Sequence, residues 1–355
     1  MLVETYLPDA DWSDLPTLAA AAEALGADAI AHAELTRDPF LALAVLAAGT
    51  RRVDLATSVA IAFPRSPTTV AYLARNLCDL TCGRFVLGLG TQVKAHIERR
   101  FGLEWSHPGP RLREYVEALR AIWRSWDTGE PLRYEGRFYR LSLMTPAFSP
   151  PPSRFGPIRI ELAAVNPYNI ELAGELCDGV RVHPLTTPAY LRDVVWPHVE
   201  RGAARAGRSL ASFRVVGGGF LATGADEATV RREREEARRR IGFYGSTPAY
   251  LPVLAHHGWE TLHAELRRLA GAGRWDELGS AVPDEVIDAF CTSGTFATLV
   301  DHLRARLGGI IDVVALPLPT GFTQHTTAYA DVIAGLQTVP SAHEQYGTAR
   351  GRETA

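Results

Sequence analysis

Short apolar runs and longer amphipathic stretches alternate along this chain from its first residues to about residue 316, and that alternation limits the possible folds more than any single motif. Strand-like runs fall at residues 2–7, 27–33, 53–61, 85–90, 159–165, 179–183, 213–223 and 312–316. Helical patterns follow them at 15–25, 40–48, 67–80, 111–126, 168–176, 188–206, 227–241 and 296–307. Gly26 ends the first helix in the usual way, and Pro67 stands well for a helix start. In the helix at 111–126 the apolar positions Tyr115, Leu119, Ile122, Trp123 and Trp126 recur at three- and four-residue steps. Roughly eight strand–helix units of this length predict a (β/α)8 TIM barrel. The structural alternative is a doubly wound sheet, which uses fewer strands and usually a glycine fingerprint after the first, and nothing after Leu7 resembles one.

The alternation pauses twice. Residues 129–157 carry Gly129, Gly136 and prolines at 131, 146, 150, 151, 152 and 157, which predicts a hairpin and an extended excursion over the barrel mouth. Residues 243–295 read as a second insertion with helical segments. The organisation expected is one domain over 1–340 and a flexible C-terminal tail over 341–355, polar and without apolar period. A net charge of −3 points away from nucleic acid and anionic membranes. No apolar run approaches the ~20 residues of a membrane span, and the opening Met1-Leu2-Val3-Glu4 reads directly as strand, without a leader. Cys78, Cys82, Cys177 and Cys291 lack metal-ligand spacing, and the first two read as small core residues. Together these predict a reduced, cytoplasmic protein of enzyme size.

In a barrel of this kind the chemistry sits at the C-terminal ends of the strands. Those ends offer His32 and Glu34, Thr57-Ser58-Val59-Ala60, Gly90-Thr91-Gln92, Val165-Asn166-Pro167-Tyr168, His183-Pro184, and Gly217-Gly218-Gly219. Each has a plain alternative. Glu34 reads as a functional acid or as a loop carboxylate, and His32 as a barrel-lining histidine. His183 beside Pro184 reads as catalytic. Asn166 is either an ordinary helix cap or part of an anion site made of backbone N–H groups. The glycines after Phe85-Val86-Leu87 allow close approach of backbone to a ligand, or simply a tight turn. No metal constellation, Gly-x-Ser-x-Gly elbow or phosphate loop of the Walker kind occurs. Glycine-rich strand ends with few strong acids or bases suit a redox cofactor that carries the chemistry itself.

The set Leu55-Ala56-Thr57-Ser58-Val59-Ala60 and Phe85-Val86-Leu87-Gly88-Leu89-Gly90-Thr91, supported in order by Arg37-Asp38-Pro39-Phe40, Arg65-Ser66-Pro67, Gly83-Arg84-Phe85, His96-Ile97-Glu98-Arg99-Arg100-Phe101-Gly102, Ala163-Ala164-Val165, Cys177-Asp178-Gly179 and Phe243-Tyr244-Gly245-Ser246-Thr247-Pro248-Ala249-Tyr250, resembles the luciferase-like monooxygenase superfamily. It is most similar to the coenzyme F420-dependent oxidoreductase class. The resemblance implies a barrel with insertions, often dimeric. It implies a cis peptide at Ser58–Val59 against the deazaflavin ring, with Thr91, Gln92 and His96 near the ring and its side chain. Val165, Asn166, Pro167 and Tyr168 are implied at the phosphate. Two departures matter. Dehydrogenases of the class pair an acid with a histidine after the second strand, and here Glu34 is followed by Leu35. They carry a glutamate after the fourth strand's Gly-Thr, where this chain has Val93. Removing a hydroxyl proton during hydride departure needs a placed base. Its loss favours a reductase that delivers hydride from the reduced deazaflavin to an activated C=C or C=N bond of a small-molecule or peptide substrate. The proton would come from solvent, Glu34 or His183, the two catalytic candidates. The alternatives are an FMN-dependent monooxygenase of the same superfamily and a non-catalytic flavin-binding protein on the same fold.

Overall fold

In the computed structural model, residues 1–343 are described. Eight parallel strands form the centre: β1 (Leu2–Tyr6), β2 (Ala29–His32), β3 (Asp54–Thr57), β4 (Phe85–Gly90), β5 (Arg159–Ala164), β6 (Gly179–Val182), β7 (Arg214–Gly217) and β8 (Val313–Pro317). Neighbours pair in chain order, and β1 meets β8 with Leu2 opposite Val313. The ring is therefore closed. Helices cover the outside: α1 (Leu15–Ala24), α2 (Pro39–Ala47), α3 (Pro67–Leu80), α4 (Pro108–Thr128), α5 (Pro167–Leu176), α6 (Trp196–Ala206), α7 (Glu227–Gly245), α8 (Leu299–Leu307) and α9 (Thr326–Gln337). Burial on both faces explains the near-continuous apolar runs in the strands, as in β4, where every residue is buried. Closure also needs small residues inside. A Cβ on Gly88 would stand 1.9 Å from the Thr57 carbonyl oxygen and 3.1 Å from Arg181 Nε.

The expected strand at 53–61 is broken. Its chain leaves the barrel at the cis Ser58–Val59 bond, and Ala60–Ile61 then pairs with the end of β4. The expected strand at 213–223 is broken as well. Gly218 and Gly219 take φ of 133° and 84°, and the chain restarts as Phe220–Gly224, paired in parallel with Cys291–Thr295. The second insertion thus contains a strand that its helical pattern hid. The expected single helix over 188–206 contains a π turn at Leu191–Val195. Helix α9 was not expected at all.

The first insertion reaches the mouth side only through its hairpin, which packs on His107 and Arg111 at the start of α4. It links the C-terminal end of α4 to the start of β5, and both lie at the opposite end of the barrel. Its hairpin (Tyr134–Glu135 with Arg140–Leu141) climbs the side of α4, where Glu114 accepts N–H bonds from Arg137, Phe138 and Tyr139. The chain then descends past Tyr72 and Arg75, which bond the Phe148 and Pro151 carbonyls. Of the cysteine pair on α3's end, Cys78 is core but Cys82 is exposed, with φ 54°. At the expected tail, Ala342 is buried and its N–H reaches the Ile311 carbonyl at 3.0 Å. Residues 344–355 of that tail lie outside the described residues.

Candidate active site

The chain turns at Ser58–Val59, and that turn is held from two sides. On one, Gly90 leaves room for it: a Cβ there would stand 2.8 Å from Val59 Cγ2. On the other, Glu34 anchors the segment that follows. Its Oε2 accepts the Ile61 N–H and Arg65 Nη1, each at 2.8 Å, and its Oε1 accepts Arg65 Nη2 at 3.0 Å. Arg65 also binds Asp38 at 2.6 Å, and Asp38 caps α2. The Glu34 side chain is 8 % exposed. Both of its oxygens are engaged, so it positions the turn and its arginine rather than standing free as an acid.

Beneath the turn a polar column descends through the barrel lumen. Ser58 Oγ lies 2.6 Å from the Tyr6 hydroxyl, which donates to Glu4 Oε1 at 3.1 Å. Glu4 takes a two-pronged bond from Arg181 at 2.8 and 2.7 Å. Arg181 Nε also faces Glu161 Oε2 at 2.7 Å, an ionic contact without hydrogen-bond alignment. Burial and the Glu4 charge push the Tyr6 phenol well above its ordinary range, so it stays protonated. Burial also pushes Glu161 up, against the pull of Arg181. With Tyr6 giving its proton to Glu4, Ser58 gives its own to Tyr6 and keeps its lone pairs as acceptors.

The other expected residues gather on this side of the mouth. Thr91 Oγ1 donates to the Gln92 carbonyl at 2.9 Å. Gln92 has φ 60°, and its Oε1 accepts the Val93 N–H at 2.9 Å. His96 is exposed on the short turn Lys94–Arg99. At the start of α5, Asn166 caps the Asn169 N–H at 3.0 Å. Pro167 has no N–H, so the cap and the proline leave the Tyr168 N–H as the free donor of that turn. The buried Asn169 carboxamide has no partner at its oxygen. The Val165 carbonyl is already taken by Tyr190 at 2.8 Å.

His183 stands on the β6 side of the mouth, away from Glu34. Its Nδ1 accepts the Leu185 N–H at 2.9 Å, which leaves the ring proton on Nε2. Its ring packs against Tyr244 and Tyr250, with centroids 4.3 and 4.5 Å away. Burial, and then the Arg240 charge, push it down to about 3. It is a neutral donor near pH 7 and no proton store.

Sequence reasoning missed Tyr6, Glu4, Arg181, Glu161 and Arg65. A signal was present for the lumen set: single charges of both signs inside otherwise apolar strands of a parallel barrel, where each must find an opposite charge within the lumen.

The sequence profile of luciferase-like monooxygenases matches residues 3–311. An uncharacterized protein of Mycobacterium tuberculosis is 44% identical over 300 residues, 84% of this chain and 88% of its own. A 5,10-methylenetetrahydromethanopterin reductase of Archaeoglobus fulgidus is 29% identical over 320 residues, 87% of this chain and 91% of its own. Among solved structures, the coenzyme F420-dependent tetrahydromethanopterin reductase of Methanopyrus kandleri superimposes with a TM-score of 0.75 at 22% identity, over 94% of this chain and 97% of its own. That likeness bears on the fold.

Proposed function

The chain belongs to the luciferase-like monooxygenase family, whose relatives include F420-dependent oxidoreductases, and on that footing we propose that it is a deazaflavin-dependent reductase. The residues present fit a flat ring. Val59, packed over Gly90 after the cis bond, forms a small apolar shelf, Thr91 and Gln92 follow it in the chain beside Gly90, and the Ser58 hydroxyl offers an acceptor. The Tyr168 N–H suits a phosphate beside it, with exposed His96 toward the side chain. Bound there, reduced coenzyme F420 supplies a hydride.

The chain's own part is to orient and to exclude. The Glu34–Arg65 pair fixes the shelf, and the Tyr6–Glu4–Arg181 column fixes the Ser58 hydroxyl. His183 offers an unpartnered N–H donor at Nε2 and holds no transferable charge near neutral pH. One observation carries the direction: neither Glu34 nor His183 is a free base, because the Glu34 oxygens are taken by Ile61 N–H and Arg65, and the one unprotonated nitrogen of His183, Nδ1, already accepts the Leu185 N–H in a buried setting that disfavours a charged ring. An alcohol oxidation lacks its proton acceptor, whereas an activated C=C or C=N bond that accepts hydride takes its proton from solvent. The proposal includes a homodimer in a reduced cytoplasm acting on a small-molecule or peptide substrate, without nucleic acid or membrane. Among the described residues no helix is long and apolar enough to cross a membrane.

The test is a panel. Reduced F420 is mixed with the protein and enones, imines or dehydroamino acids, and oxidised F420 with secondary alcohols. Cofactor oxidation by at least one member of the first group, with none of the alcohols turned over, is the expected outcome. Faster turnover of an alcohol would reverse the assignment. The second reading, an FMN-dependent monooxygenase, rests on the family's other chemistry. It predicts oxygen consumption with reduced FMN.

A further inference from the structure

On the β6 side of the mouth stands a group of donors without acceptors. His183 Nε2–H is free because Nδ1 is occupied. The hydroxyls of Tyr244 and Tyr250 make no protein hydrogen bond among the described residues, and these three polar atoms are not sealed from solvent. Arg240 lies one turn before Tyr244 on α7, its guanidinium 5.1 Å from the face of Phe220. Its neighbours are paired, Arg238 with Glu235 and Asp284, and Arg239 with Glu236. Arg240 has no carboxylate within ion-pair distance among the described residues, though it is close enough for its charge to bear on His183. The rings link the set: Phe220 to Tyr244 at 6.4 Å, Tyr244 to His183 at 4.3 Å, and Tyr250 to Tyr244 at 5.9 Å.

We propose that these residues form a substrate subsite for a carboxylate, held by Arg240 and the donors of His183, Tyr244 and Tyr250, with the unsaturated carbon skeleton against the rings. One cation among neutral donors suits a single negative charge better than a phosphate dianion. Burial keeps Tyr250 protonated, hence a donor. A neutral His183 gives a hydrogen bond without inviting a second charge. The inference rests on the reductase reading above and narrows its substrate to an unsaturated acid carrying an aromatic or apolar group. The strand ends offer His183 and the ordered motif set offers Tyr244 and Tyr250, but nothing in the sequence joins them to Arg240, because the parts come from the end of β6, α7 and the turn at Pro248–Tyr250.

The test is calorimetric titration of the full-length protein, alone and with oxidised F420, using trans-cinnamate, cinnamamide and phenyl phosphate as probes. Cinnamate is expected to bind about tenfold or more tightly than the amide. The gap should close in Arg240→Gln and survive in part in Arg240→Lys. Arg240 is exposed, so neither variant threatens the fold. Equal binding of acid and amide, no binding of either, or a gap that persists in Arg240→Gln would overturn the subsite. Tighter binding of phenyl phosphate than cinnamate would overturn the carboxylate assignment. Because the titration without F420 reads the subsite alone, failure of cofactor binding leaves its result interpretable, and the reverse also holds.

Discussion

At the scale of single residues, the site is defined by what is already occupied. Glu34 reads from sequence as an acid at a strand end, yet in the fold it is bound by Arg65 and the Ile61 N–H. His183 reads as an acid–base residue, yet it is held neutral. Its ordinary value of 6.5 falls to about 3, burial being the larger cause and Arg240 the smaller. A histidine lowered on folding is neutral in the native state while the unfolded chain takes up a proton below 6.5. Its contribution to stability is thus complete above 6.5 and lost as pH falls from there toward 3. Between pH 7 and pH 5 the wild type should lose up to about 2 kcal/mol more than His183→Gln in urea unfolding. Identical pH slopes in the two proteins would mean that His183 charges freely. Partner choice of this kind is not legible in sequence, because Arg65 reaches Glu34 only after the intervening chain has folded.

At the scale of elements, most strands and helices followed from periodicity. α3 and β4 have the bounds expected, since an apolar strand and a Pro-led amphipathic helix are strong local signals. Failures came where backbone geometry overrides the apolar run. Residues 53–61 read as one strand rich in apolar residues, and nothing in that pattern marks the turn at Ser58–Val59; the family resemblance did. The glycines after β7 were ambiguous between packing and ligand approach, and the structure gives them a third role as a hinge between two sheets. Gly219 sits at φ 84°, with space for a Cβ closed by the Phe290 carbonyl at 2.7 Å. Gly219→Ala should therefore lower the melting temperature by several degrees, the equivalent of about 1–3 kcal/mol. An unchanged melting curve in differential scanning calorimetry would show that the second insertion seats independently of this turn. The first insertion, a link from helix end to strand start, begins and ends away from the mouth, and only its hairpin reaches the mouth-side end of α4.

At the scale of the whole molecule, the closed parallel barrel sets the division of labour. Its lumen is filled by Glu4, Tyr6, Arg181 and Glu161, and its mouth is shared between a shelf at β3–β5 and an aromatic, donor-rich wall at β6–α7. The barrel was legible because alternation is a global signal. The cis bond at Ser58–Val59 was legible through family resemblance; the lumen column was not, and of the donor wall only single members such as His183 were, because both join residues far apart in the chain. The central claim is that this shelf takes a deazaflavin. It is tested most directly by titrating the full-length protein with oxidised F420 and with FMN and following each cofactor's fluorescence to saturation. The account predicts saturable binding of F420 with dissociation in the micromolar range or tighter, about −8 kcal/mol or more favourable, and FMN binding weaker by about tenfold or more. Tight binding of FMN with no change in F420 fluorescence would contradict it.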